Sequence, residues 1–394
     1  MKSPLLPLFL TVFVDVLGLT IILPLLPFYA QHFGAPPWLI GILGASYAAC
    51  QLVSGPILGR ISDVVGRKPT LLVSQAGTFV GFLMIGSAGS LWMLFAGRII
   101  DGLTAGNLSI AQAYISDVTK PEHRTRAFGL IGISFGLGFL IGPAISGVLA
   151  SRFGYGAPAY AAAGLSALSI LFTATLLPAK PPLAEPHASP AEATARRGFD
   201  LGRFFGRPEP RTRLLQFFAY TLAFATLFGT GLALFLSRQP GLEYDVRKTG
   251  WVFAYVGLLG ALIQGGLLGR LVKRHGDEKL AATAFALMAA GYGLIGFAHS
   301  TPVLLVLMAI GGMGVGLGRP TITTLLTKSV GRNEQGAALG LSQSLGSVAQ
   351  IVGQTLAGLL ISHGLLFTYG LAGAVFALCG LAASLAYRRP AAAA

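Results

Sequence analysis

Four ionisable side chains sit inside long apolar runs of this chain: Asp15, Arg98, Asp101 and Arg319. An ionised group in hydrocarbon costs at least ~2.5 kcal/mol, so such residues mark function more often than packing. Arg98 and Asp101 are three apart, share a helical face and can form an ion pair. Protonation of Asp101 would release Arg98, a proton-sensitive switch; the alternative is a static structural pair. Asp15 is an acid whose neutral form hydrocarbon favours, which suits a proton carrier. The alternative is a carboxylate held permanently by a donor. Arg319, ahead of a Pro320 that frees a backbone carbonyl, can take an anionic or zwitterionic solute, or it can extend to the headgroups. Polar side chains in other apolar stretches outline a cavity: Tyr47, Gln51, Asn107, Gln112, Gln264, Gln343 and Gln350. Phe217, Phe218, Tyr220, Phe224, Phe228 and Phe253 are available as its apolar wall.

These residues need elements to hold them, and the composition says which. Hydrophobic residues are 54% and charged residues 11%, against about 25% charged in a soluble domain. Apolar segments of roughly 20 residues, enough for a core about 30 Å thick, lie near 5–30, 37–58, 69–90, 92–117, 125–150, 157–177, 213–236, 247–270, 279–298, 302–327, 335–361 and 367–387. The reading is all-α integral membrane, with twelve transmembrane helices. The first run is too long for a signal-peptide core and shows no cleavage site, so it counts as a helix. With both termini cytoplasmic, nearly all Lys and Arg fall inside. Only Arg152, Arg238, Arg247 and Lys248 lie outside, with Arg98 and Arg319 in the membrane, as the positive-inside rule demands. The net charge of +14 then reflects topology and anionic lipid, and it calls for no nucleic acid.

Enzyme chemistry is not indicated. His32, His123, His187, His275, His299 and His363 are scattered without metal-ligand spacing, and Cys50 and Cys379 lie in apolar helices, so no metal and no disulfide is expected. No Gly-Lys-Ser/Thr phosphate loop occurs, so no nucleotide cofactor is expected and an ion gradient must supply the energy.

The chain divides into residues 1–177, a Pro-rich linker at 178–212 with a short amphipathic piece near 199–206, and residues 213–394. The halves are degenerate copies: Gly59-Arg-Ile-Ser-Asp-Val-Val-Gly66 aligns with Gly269-Arg-Leu-Val-Lys-Arg-His-Gly276, and Gly142-Pro-Ala-Ile-Ser-Gly147 with Gly353-Gln-Thr-Leu-Ala-Gly358. Two six-helix repeats about an axis along the membrane normal are the parallel-repeat transporter plan. In the first loop, Gly59 allows close helix approach. Asp63 can accept from N–H groups at the helix start near Glu334–Leu339, and Gly66 suits a positive φ. Arg67 can pair with Asp117, and Lys68 can face the headgroups. Together they would latch the halves while the cavity faces outward; the bland alternative is a basic turn that sets topology.

The loop Gly59-x-x-x-Asp63-x-x-Gly66-Arg67-Lys68 resembles that between helices 2 and 3 of major facilitator superfamily transporters. Phe13-Val-Asp-Val-Leu-Gly-Leu-Thr-Ile-Ile-Leu-Pro-Leu-Leu-Pro27 places an acid, a Gly and two Pro as drug exporters do. Gly97-Arg-Ile-Ile-Asp-Gly-Leu-Thr-Ala-Gly106 resembles the membrane-embedded Arg motif of proton-coupled members. Gly138-Phe-Leu-Ile-Gly142-Pro143-Ala-Ile-Ser-Gly147 resembles the antiporter motif. Ala113-Tyr-Ile-Ser-Asp117 through Arg126-Ala-Phe-Gly129 is similar to bacterial tetracycline–proton antiporters.

The resemblance implies two pseudo-symmetric six-helix bundles (the major facilitator fold) and alternating access. It implies a monomer in a bacterial inner membrane that exchanges protons for amphipathic drugs. The chain departs from the tetracycline exporters in lacking acids at Phe79-Val-Gly-Phe82 and Leu287-Met-Ala-Ala290 and in carrying Arg319. That disfavours a cationic or magnesium-chelated drug. An organic-anion or metabolite transporter using Arg98 and Arg319 is the alternative, and a non-transporting receptor or scaffold is a third.

Overall fold

A computed structural model describes residues 5–119, 124–178, 201–331 and 334–387, and the regular elements there are helices. Hydrocarbon offers no water to backbone N–H and C=O groups, so a spanning segment must satisfy its own. The order is α1 (Leu5–His32), α2 (Pro37–Val64), α3 (Arg67–Gly86), α4 (Leu91–Leu103), α5 (Asn107–Val118), α6 (Arg124–Phe153) and α7 (Gly156–Leu176). After the linker come a short α8 (Leu201–Phe205), α9 (Pro208–Phe228), α10 (Thr230–Arg238) and α11 (Val246–Leu262). A π-helical turn (Ile263–Leu267) leads into α12 (Leu268–Gly293), followed by α13 (Thr301–Lys328), α14 (Gln335–Ser362) and α15 (Leu366–Ala386). His123, His187 and linker residues 179–200 lie outside the described residues, as do the side chains of Arg126 to Gly129.

Ten stretches are long and apolar enough to cross a membrane. One of them, Val246–Phe297, has 52 residues, or about 78 Å at 1.5 Å per residue. It is broken at Gly276 (φ 77°, ψ 159°), which divides it into two pieces each about as long as a span needs. The helices of the pair α4–α5, interrupted at Thr104–Gly106, are not among the ten.

The interruption is held by a neighbour. Ser74 on α3 donates its hydroxyl to the Thr104 carbonyl and accepts from the Gly106 N–H at 3.0 Å. From the other side Ser54 on α2 donates to the Gly102 carbonyl at 2.7 Å. A non-helical turn at membrane depth is tolerated only with such partners.

The two halves meet at the face opposite the termini and part toward the face that carries them. At the meeting end one apolar cluster joins Leu25 and Tyr29 of α1, Leu43 of α2, Leu234 of α10, Val246 of α11 and Ile361 of α14. At the other end the cores are separate: Leu8, Val12, Tyr114 and Leu177 in the first half, Leu214, Leu326, Val330 and Leu341 in the second. The meeting seams run backbone against backbone. A Cβ on Gly41 would lie 2.6 Å from the Gln354 carbonyl oxygen and 3.1 Å from the Gly358 Cα. On the second seam a Cβ on Gly147 would lie 3.0 Å from the Arg247 Cα, and one on Gly250 would strike the Pro143 carbonyl. On the same helices nearer the termini face, Gly55, Gly59, Gly265, Gly266, Gly336 and Gly340 have nothing within 4 Å of such an atom.

Alanine at the seams therefore forces helices apart, because the opposing atoms are backbone. Gly250→Ala and Gly358→Ala should each cost about 1–3 kcal/mol, seen as a lower melting temperature. Each should also speed alkylation of a Ser237→Cys reporter in a background without Cys50 and Cys379. Gly59→Ala should leave both readouts unchanged; an equal effect there would refute the seam.

Candidate functional site

The interrupted α4–α5 segment carries the first cluster. Packed on α2 at Tyr47, α4 points Arg98 and Asp101 into the first half, where both are buried (6% and 3% exposed). Arg98 Nη1 donates to Asp101 Oδ2 at 3.1 Å, and its guanidinium lies 4.3 Å from the Tyr47 ring centroid. Gln51 Nε2 donates to the Tyr47 hydroxyl at 3.4 Å, so four of the sequence candidates converge here. The aromatic face and the carboxylate together hold the cation where water is excluded.

Asp15 is tied to the same helix as this pair: a Cβ on Gly81 of α3 would lie 3.0 Å from the Asp101 Cβ, and Gln75 of α3 reaches Asp15. The residue that positions it is one the sequence reading passed over. Gln75 on α3 donates to Ser169 Oγ on α7 at 2.7 Å and reaches Asp15 Oδ2 at 3.4 Å. Asp15 Oδ1 and Gln75 Oε1 are both buried acceptors with no donor among the described residues. The available signal was a lone amide, Gln75, in the apolar run of α3. Asn107, whose Oδ1 is likewise buried without a donor, begins α5 just past the interruption.

The second half contributes Arg319. Its side chain is exposed within the opening, and its guanidinium lies 5.2 Å from the centroid of Phe135 on α6 of the first half. It therefore reaches across the opening and is not extended toward headgroups. Gln264 is on the π-helical turn, its Oε1 3.8 Å from where a Cβ on Gly132 would stand. Gln112, Gln343 and Gln350 are at least partly accessible on α5 and α14, apart from either cluster's hydrogen bonds among the described residues. The expected aromatic wall needs correction: Phe217, Tyr220, Phe228 and Phe253 are 5% exposed or less. They are core, with Phe224 stacked on Phe228 at 5.4 Å. Only Phe218 and Phe224 of that set are partly accessible.

At the termini face, Arg67 Nε donates to Asp117 Oδ2 at 2.9 Å, and its Nη1 lies 2.7 Å from both Asp63 Oδ1 and Ser62 Oγ. Gly66 has φ 108°. Two expectations fail. Lys68 does not face headgroups: Nζ donates to the Ala174 and Leu177 carbonyls at 2.7 Å each, because the end of α7 leaves carbonyls unpaired at the negative end of its dipole. Gly59 makes no close helix contact, because α2 has no partner near it where the halves part. The second copy of the loop is built alike with the charges exchanged. Gly276 has φ 77°, the next residue Asp277 accepts from Lys328 Nζ at 2.6 Å, and Glu278 accepts from buried Arg213 at 2.8 Å.

In α6 the motif faces two ways. Gly138 and Gly142 lie against Thr20 on α1, whose hydroxyl meets the Gly138 carbonyl at 2.9 Å, while Pro143 and Gly147 form the seam with α11.

The profile of the Major Facilitator Superfamily matches residues 8–268 and 217–394. The chain belongs to this superfamily. It is a membrane transporter and not an enzyme. It is 31% identical to the class H tetracycline resistance protein of Pasteurella multocida over 381 residues, 94% of this chain and 92% of that one. The fold matches the crystal structure of the human organic anion transporter MFSD10 (TETRAN) with TM-score 0.73 and 23% identity, covering 97% of this chain and 99% of that one. It matches a POT family transporter with TM-score 0.78 and 15% identity, covering 96% and 94%.

Within this transporter a second unanticipated residue is Gln354, which fills the seam against Gly44, Thr230 and the helix break at Gly229. Its signal was the spacing: it lies one turn beyond Gln350 on the same helix. The two loop ion pairs differ in what is left when one partner goes. Arg67 keeps Asp63 Oδ1 and Ser62 Oγ at 2.7 Å each, so Asp117→Ala should cost at most about 1 kcal/mol. Lys328→Ala leaves Asp277, 10% exposed, without its lysine and should cost about 1–3 kcal/mol. Thermal unfolding of the two variants measures the order, and a larger loss in Asp117→Ala would contradict it.

Proposed function

We propose that this transporter is a proton-coupled antiporter that exports amphipathic, drug-like compounds by alternating access. The observation that carries the reading is the Asp15–Gln75–Ser169 cluster beside the Arg98–Asp101–Tyr47 cluster, deep in one half of a chain similar to tetracycline resistance proteins. Two buried acceptors, Asp15 Oδ1 and Gln75 Oε1, stand without a donor among the described residues. A proton on the Asp15 carboxyl brings the donor that buried acceptors require. Protonation of Asp101 likewise frees Arg98 from its only carboxylate among the described residues.

The basic loop and the excess of Lys and Arg on its face support a cytoplasmic placement of that face and of both termini. The halves then part toward the cytoplasm and are sealed outside, at the seams of Gly41, Gly358, Gly147 and Gly250. Residues 1–177 and 213–394 act as the two moving bodies, with 178–212 as their tether, in the inner membrane of a bacterium. One chain supplies both bodies, so the transport unit is a monomer. In the outward-open state Asp63 would meet the start of α14, and the Arg67–Asp117 pair would brace that contact. Tyr47, Gln51, Asn107, Gln112, Gln264, Gln343 and Gln350 are the polar lining of the path. The organic-anion alternative loses one of its two cations, since Arg98 is buried and paired with Asp101.

Purified protein in liposomes tests the reading. Adding a lipophilic drug should release or take up protons, and Asp15→Asn should abolish that flux while leaving drug binding in place. Drug movement with undiminished proton flux in Asp15→Asn would refute the assignment of Asp15.

A further inference from the structure

An arginine without a carboxylate stands in the opening between the halves. Arg319 is nine residues before Lys328, the end of α13, which puts it about 13 Å inside that end at 1.5 Å per residue. At that depth a cation is costly unless something answers it. Among the described residues no Asp or Glu pairs with it, and its contact is the face of Phe135 across the opening at 5.2 Å. One turn away, a Cβ on Gly316 would lie 3.3 Å from the Gly260 Cα and 3.4 Å from Ile263, so the π-helical turn that begins at Ile263 runs beside Arg319. Gln264 of that turn faces Gly132, one turn from Phe135 on α6. Guanidinium, amide and aromatic ring therefore border the same part of the opening. A π-helical turn inside a spanning helix accompanies functional sites often enough to support this reading.

We propose that Arg319, Phe135 and Gln264 form a subsite for a carboxylate-bearing amphipath, so that the exported compounds are anionic or zwitterionic. A planar guanidinium offers two parallel N–H donors that match a carboxylate. The apolar body of the compound lies against Phe135, and Gln264 supplies a further donor. Arg98 cannot serve, being committed to Asp101 and Tyr47 inside the first half. The subsite deepens the exporter reading and rests on it for transport, though not for binding.

The test uses 4-(1-pyrenyl)butanoate and its methyl ester, which share the apolar body and differ in the charge. Binding to the purified full chain is followed by pyrene fluorescence in wild type, Arg319→Gln, Arg319→Lys and Phe135→Leu. Wild type should bind the carboxylate at least about tenfold more tightly than the ester, the worth of one charged hydrogen bond. Arg319→Gln should lose that preference and keep ester binding, which also shows that it folds. Arg319→Lys should keep part of the preference, and Phe135→Leu should weaken both probes alike. Equal binding of the two probes by wild type would overturn the subsite, as would an equal loss of both in Arg319→Gln. Proton flux in liposomes separates the two claims. A carboxylate preference without any proton movement leaves the subsite standing and removes the exporter reading.

Discussion

Hydrocarbon cannot hydrogen-bond, so each place where the backbone of a spanning helix stops being helical must be answered by another part of the protein. Among the described residues three such places stand beside polar side chains. The gap at Thr104–Gly106 is bridged by Ser74 and lies between Asp101 and Asn107. The break at Gly229 is filled by Gln354 of α14 in the same half. The π-helical turn carries Gln264 opposite Gly132. At the first of these the polar side chain answers the backbone directly, Ser74 taking both the Thr104 carbonyl and the Gly106 N–H.

The same constraint explains why the halves touch through glycine. Between lipid-facing helices there is no hydrophobic driving force, so association comes from close packing. Gly41 against Gly358 and Gly147 against Arg247 bring two backbones into contact and leave the seam nothing soft to yield. At the opposite end the four glycines of α2 and α14 nearest the loops, Gly55, Gly59, Gly336 and Gly340, are open. A rigid seam at one end and an unfilled one at the other is what a rocking motion between two bodies requires. The two loops that border the open end are related copies whose ion pairs run in opposite senses, Arg67 to Asp117 and Lys328 to Asp277. The positive-φ glycines, Gly66 and Gly276, keep the turn geometry that the exchanged charges do not.

The fold was largely legible in the sequence, because length and apolarity decide what a bilayer will accept and the repeat offsets expose the two halves. Parts of the site were legible for a related reason: an ion in hydrocarbon is conspicuous, so Asp15, Arg98, Asp101 and Arg319 stood out. What could not be read was direction. Lys68 was assigned to headgroups because a basic residue at a membrane edge ordinarily goes there, and only the end of α7 shows carbonyls closer to hand. Phe228 and Phe253 looked like cavity wall because aromatic residues suit either solute or core; their burial decides for core. Gln75 and Gln354 were missed because an amide in an apolar helix carries little signal until its partner on another helix is known.

The buried acids and Arg319, which pairs with no carboxylate among the described residues, lie in different halves, and that division constrains how they can act on each other. Asp15, Arg98 and Asp101 have their side-chain partners on α2, α3, α4 and α7, all in the first half. Arg319 belongs to the second half and meets the first at Phe135. A charge change at Asp101 cannot be relayed to Arg319 by a direct bond. Beyond its field through space, it is felt through an element that both bundles hold, and structural coupling between sites needs such an element with two arrangements. α2 is in that position: Tyr47 lies under Arg98, and Gly44, one turn away on the same helix, is packed on Gln354 of α14. One helix thus carries, at adjacent turns, the contact to the Arg98 cluster and the contact to the seam, so the two share a rigid element although they lie apart.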